Sequence, residues 1–97
     1  MIGTVGDLVE DILVRLHGTV NVADDTDATV LRQRGGSAAN MAVSVARAGH
    51  PVRFIGQVGA DAAGAQLIET LFAEGVEAAV RRAGRTGTII VLLDERG

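Results

Sequence analysis

The chain opens on an apolar stretch. Met1 to Val5 is short and apolar and runs into Gly6-Asp7-Leu8-Val9-Glu10-Asp11, after which Ile12-Leu13-Val14 continues the pattern. This order predicts a buried first strand, a turn or strand end, and a further extended stretch. Thr19 to Val22 and Thr29 to Gln33 read as short strands, with Asp24-Asp25-Thr26-Asp27 as the hairpin tip between them. Their charged, β-branched character suits a peripheral flap better than a core.

Gly35-Gly36-Ser37 interrupts that pattern, and a helix is expected over Ala38 to Ala48. Ser37 is the expected N-cap, and Gly49 followed by Pro51 is the stop signal. Ala42, Val45, Ala46 and Gly49 fall at helical spacing, a small-residue face able to lie close on a sheet. Val52 to Val58 reads as a buried strand and Gly59-Ala60-Asp61 as a turn. Asp61 is the expected N-cap of a second helix running to about Glu74, with Leu67, Ile68, Leu71 and Phe72 as its apolar stripe and Gly75 as its end. Thr88 to Leu93 is a continuous apolar strand after a shorter one, and Asp94-Glu95-Arg96-Gly97 is turn-like. Strands alternating with helices argue for α/β layering. A chain that stops at a turn after an unpaired apolar strand is expected to be cut short.

Composition narrows the chemistry. The chain has 97 residues, 47% hydrophobic but only 2% aromatic, so its core must come from Val, Leu, Ile and Ala, which suits a parallel sheet under Ala-rich helices. A domain this short hides only about 60% of the surface its unfolded chain exposes, and with no cysteine it has no disulfide to help. Zero cysteine also removes thiolate metal sites and thiol nucleophiles. All nine basic residues are Arg, which excludes a P-loop or Schiff-base lysine within the chain. A net charge of −3 offers no basic footprint for nucleic acid. The first 16 residues carry Asp7, Glu10 and Asp11 where a secretory signal needs an apolar core, and no apolar run approaches a membrane span. The expectation is a soluble, cytoplasmic protein without nucleic-acid or membrane partners.

The most informative stretch is Gly35-Gly36-Ser37-Ala38-Ala39-Asn40. Two glycines let the backbone approach a ligand closely, and the helix that follows aims its free amides at the same place. Asn40 offers both a donor and an acceptor, as a hydroxyl group requires. The plainer alternative is a glycine turn capping a helix. Asp11, an acceptor-only group just past a strand, sits where open α/β sheets bind ligands, or else is a solvated acid beside Glu10. Asp7 is expected nearer the buried edge of the strand.

Other polar clusters favour structural roles. Gly59-x-Asp61-x-x-Gly64 reads as a tight turn with a helix cap. The Asp24, Asp25 and Asp27 cluster lacks the central Gly and terminal Glu of a calcium loop. His17 and His50 have no metal-ligand spacing, and no metal site is expected. Arg81, Arg82 and Arg85 form a basic spot that could meet a phosphate but suits a solvated face. Neither GxGxxG nor GxxxxGK[ST] occurs.

Taken together, these segments resemble the ribokinase-like carbohydrate kinases, the PfkB family. Gly35-Gly36-Ser37-Ala38-Ala39-Asn40-Met41-Ala42, then Gly49, then Phe54-Ile55-Gly56-Gln57-Val58-Gly59-Ala60-Asp61 and Gly64 are similar to its N-terminal signature. Gly6 to Leu13 is similar to its first strand, and Thr86-Gly87-Thr88 to a later landmark. The resemblance implies a partial ribokinase-like three-layer α/β/α sheet with a small β-lid from residues 14–35 and 86–97, truncated after the N-terminal portion. It implies that Asp11, Gly35, Gly36 and Asn40 contact the hydroxyls of a sugar or nucleoside, and that lid strands pair in a homodimer. It further implies phosphoryl transfer from Mg-ATP. The Gly-Ala-Gly-Asp-type stretch that carries the family's catalytic base has no match in the chain, so no catalytic residue can be named and the ATP pocket is expected outside it. The chain alone is therefore expected to be inactive. The alternative is a non-catalytic sugar-binding or self-associating module. With no Tyr or Trp and only two Phe, there is little to stack a purine, which leans the substrate toward a sugar.

Overall fold

The apolar start of the chain is divided at a single residue. In the computed structural model, which describes residues 1–17 and 28–94, β1 (Ile2–Asp7) ends one residue before β2 (Val9–Leu16) begins. The two strands belong to different sheets. Leu8 between them is 2% exposed and forms part of the core, so the change of sheet is pinned by a buried side chain. The remaining elements are β3 (Ala28–Gly35), α1 (Ser37–Arg47), β4 (Val52–Val58), α2 (Ala62–Ala73), β5 (Glu77–Arg82) and β6 (Thr88–Leu93).

The larger unit is a parallel sheet in the order β1-β4-β5, with Ile2 opposite Val52 and Arg53 opposite Glu77. Alternation along β4 is clear: Val52, Phe54 and Val58 are buried, while Arg53, Ile55 and Gln57 are exposed. The buried set meets Ala39, Ala42 and Val43 of α1 and Leu67 and Leu71 of α2 in one cluster. Both helices therefore cover the same face of the sheet. Of the three layers expected, the chain supplies two.

α1 lies close on β1. Thr4 Oγ1 donates to the Ala38 carbonyl at 2.8 Å, and a Cβ on Gly6 would stand 2.8 Å from that of Ala38. The buried face of this helix is Ala39, Ala42 and Val43, one position round from the expected Ala42-Val45-Ala46 face, with Val45 and Ala46 at its margin. In α2, Leu67 and Leu71 are buried as expected, but Phe72 is 81% exposed. The stripe is centred on Gly64, Leu67 and Leu71, and Phe72 lies about 100° round the helix from Leu71.

The smaller sheet has the order β3-β2-β6, antiparallel between β2 and β3 and parallel between β2 and β6. β2 starts earlier than the sequence suggests, at Val9, and β3 runs on to Gly35, while β6 has the expected bounds. Among the described residues, the three connections to the larger unit enter at one end: Leu8 before Val9, Gly36 after Gly35, and the 83–87 segment before Thr88. The expected strand at Thr19 to Val22 and the tip at Asp24 to Asp27 lie outside the described residues, as do residues 95–97.

Candidate functional site

The Gly35-Gly36 pair is the point at which the two sheets and α1 meet. Gly36 has φ 103°, a region that favours glycine, and a Cβ there would come within 2.1 Å of the Asp7 carbonyl oxygen at the end of β1. Gly35 faces the other way. A Cβ on it would overlap the Asp11 carboxylate, at 2.3 to 2.5 Å from its three terminal atoms. Val9 is opposite Gly35 in the β2–β3 ladder, which makes Asp11 its diagonal neighbour on the same face. The diglycine is thus the shape that allows the end of β1 and the starts of β2 and α1 to occupy one small volume.

Asn40 belongs to the same corner. Its backbone amide donates to the Gly36 carbonyl at 2.9 Å, the first bond of α1, and its side chain is exposed. Gly36, and not Ser37, is the N-cap, and no side chain caps the helix. The reason is steric: Ser37 is already in helical geometry, because Gly36 alone can take the turn that clears Asp7. The first-turn amides of α1 therefore keep no side-chain partner.

Asp11 supplies the decisive electrostatic feature. Its Oδ1 is buried and has no hydrogen-bond partner. A buried acceptor without a donor is rare, and a hydroxyl-bearing ligand satisfies it directly. The sequence positions Asp11, Gly35, Gly36 and Asn40, far apart in the chain, are brought to a single corner.

Asp7 is placed differently from expectation. It ends β1 and is exposed, because β1 stops before Leu8 turns inward. Together with Gln57, Val58, Arg85 and Gly87 it lines a crevice of about 240 Å³ at the carboxyl ends of the parallel strands. That is where open α/β sheets take their ligands. Gln57 was not singled out in the sequence; its signal is position, the residue paired with Asp7 on β4.

The second helix start is built in the opposite way. Asp61 accepts from the Gly64 amide and the Thr86 amide, both at 2.8 Å, and from the Thr86 hydroxyl. These bonds, led by the Thr86 hydroxyl, hold its carboxyl down at about 2. Arg82 closes the same turn by donating to the Gly59 and Asp61 carbonyls at 2.9 and 3.0 Å. The three arginines of the basic spot therefore separate: Arg82 is structural, Arg85 lines the crevice, and Arg81 is exposed. His17 pairs with Thr29 at the surface, and among the described residues no cluster of three or more His, Cys, Asp or Glu could hold a metal ion.

A profile of the pfkB family carbohydrate kinases matches residues 4–97. The chain belongs to this family. A fructokinase from Escherichia coli is 38% identical over 81 residues, 80% of this chain but 26% of that protein. The crystal structure of a fructokinase from Xylella fastidiosa with bound ATP matches with TM-score 0.77 and 30% identity, over 94% of this chain and 29% of that one. A ribokinase from Giardia lamblia matches with TM-score 0.88 at 20% identity, a likeness of fold, over 99% of this chain and 33% of that one. The chain spans about a quarter of the length of the fructokinase from Escherichia coli. The ribokinase-like fold and pfkB membership expected from the motifs are both established, and no helix of the described residues is long and apolar enough to cross a membrane.

Proposed function

We propose that this chain is the substrate-binding part of an ATP-dependent kinase that phosphorylates a sugar hydroxyl. The observation that carries the reading is the orphaned Asp11 Oδ1 against Gly35. A carboxylate oxygen without a donor, next to uncapped helix amides and an exposed Asn40, suits a polyol that can give and receive hydrogen bonds. Asp11 accepts from one or two hydroxyls, Gly35 and Gly36 let the sugar ring approach the backbone, and Asn40 bridges a further hydroxyl. The relatives' names, fructokinase and ribokinase, support a sugar, with a nucleoside as the alternative substrate.

In the whole protein, Mg-ATP supplies the phosphoryl group. The described residues do not fit that site, since they include neither a metal-ligand cluster nor a lysine for the phosphates. No catalytic residue is assigned, and the chain by itself is proposed to be inactive in phosphoryl transfer. The protein is read as cytoplasmic, with no nucleic-acid or membrane partner.

A second reading, self-association, is favoured by the small sheet, in which Ile90 and Leu92 of β6 are 63% and 67% exposed. It joins the first as a homodimer through these strands. Calorimetric titration of the chain with fructose and ribose tests the main reading. Saturable binding to one of them that weakens roughly tenfold or more in Asp11→Asn is expected, whereas binding indifferent to that change refutes it. Light scattering tests the pairing, with a dimer mass expected.

A further inference from the structure

A second buried polar atom at the root of the small sheet lacks a partner. Among the described residues it is Nε of Arg34, whose position faces Glu10 across the β2–β3 ladder. Arg34 and Glu10 each adjoin a residue of the sugar corner, Gly35 and Asp11, but strand alternation turns them to the opposite face. There Arg34 lines a cleft of about 170 Å³ between the small sheet and α2, with Arg32, Gln66 and Thr70.

The charges in this cleft do not cancel. Glu10, its one carboxylate, is engaged by Arg32 at 3.0 Å. Glu74, which lies in the field of Arg34, already receives two hydrogen bonds from Arg47 at 2.9 and 2.6 Å. Arg34 is permanently charged and has no ion-pair partner among the described residues. A guanidinium with a buried, unmet Nε–H is the feature that a bidentate oxyanion completes. Gln66 is exposed and adds an amide donor, whereas the Thr70 hydroxyl is spent on the Leu67 carbonyl. Pockets for larger ligands run to roughly 300 Å³ and above, so this cleft suits a small anion and not a nucleotide.

We infer that the cleft between the small sheet and α2 is a binding site for a small oxyanion, a phosphate or a carboxylate, held by Arg34. Inorganic phosphate and malonate are titrated separately at fixed ionic strength, with amide chemical shifts of the chain as the readout. One of the two saturates with Kd on the order of 1 mM or tighter, and which one does so identifies the source. The shifts cluster at Arg34, Gln66 and Thr70. Arg34→Gln weakens binding roughly tenfold or more, while Arg85→Gln, in the other crevice, leaves it unchanged. Should Arg34→Gln fail to fold, the shift map of the wild-type chain and Gln66→Ala decide. Titrations that never saturate, shifts that gather around Arg85, or wild-type affinity in Arg34→Gln overturn the assignment. No sugar enters the experiment, so its result is independent of the role proposed for Asp11.

Discussion

The two helix starts are assembled from similar sequence and are opposite in chemistry. Both follow a strand and a glycine. At α2, Asp61 takes bonds from Gly64 and Thr86, and Arg82 donates to the Gly59 and Asp61 carbonyls. At α1, no side chain caps the first turn and the neighbouring Asp11 keeps an unpaired oxygen. A start whose cap is tied by such bonds to a neighbouring loop holds the fold together. One left unsatisfied, at a place where glycines clear the space, is held ready for something else.

Substitutions can separate these two roles. The largest effect is expected from Gly36→Val, which forces a branched Cβ into positive φ and onto the Asp7 carbonyl. Strain of this kind costs about 3 kcal/mol or more, enough to unfold much of a small chain, and circular dichroism against temperature checks it. Asp61→Ala comes next: thermal stability falls by several degrees while sugar affinity in the folded fraction is kept. Loss of sugar binding in this variant would erase the division between the two starts.

Asp11→Asn is expected to behave in the reverse sense. Sugar binding weakens roughly 10- to 100-fold, with melting temperature unchanged or raised, since a partly buried, unpaired negative charge is removed from the folded state. A clear fall in melting temperature would show that Asp11 is structural after all.

Acid titration sharpens the contrast further. Asp61 has its carboxyl lowered from 3.8 to about 2, so its contribution is complete above its unfolded value and is lost as pH falls through about 2. Melting temperature should therefore drop between about pH 4 and pH 2 in the wild type, and less steeply in Asp61→Ala. The smallest change is expected for Arg47→Gln, which breaks the exposed pair with Glu74 and moves the melting temperature by no more than about 4 °C.

Local signals in the sequence carried much of this. Asp61 as a cap, Gly75 as a stop and the alternation of Val52 to Val58 follow from side-chain chemistry within a few residues. The division at Leu8 does not. The sequence predicts a turn or strand end somewhere within residues 6–11, and only the burial of Leu8 under the helices places it and assigns the two halves to different sheets. Phe72 misled for the mirror reason, since its apolarity suits a core that the angle of α2 denies it. The corner itself was half visible. Paired glycines announce a close approach, but that Gly35 approaches Asp11 while Gly36 approaches Asp7 is a matter of tertiary register. Arg34 left no signal at all, because an arginine in an exposed strand looks like solvated charge until its cleft is formed.

Among the described residues, the three connections enter the small sheet at one end, and from that end it behaves as a cantilever. Its longest strands, of eight residues, reach roughly 26 Å from that fixed end at about 3.3 Å per residue. A tilt of about 10° at the root would sweep the far tip by roughly 4.5 Å yet shift Asp11, the third residue out, by less than about 2 Å. Leverage is thus confined to the tip, and the polar grip sits beside the fulcrum, where bending disturbs it least.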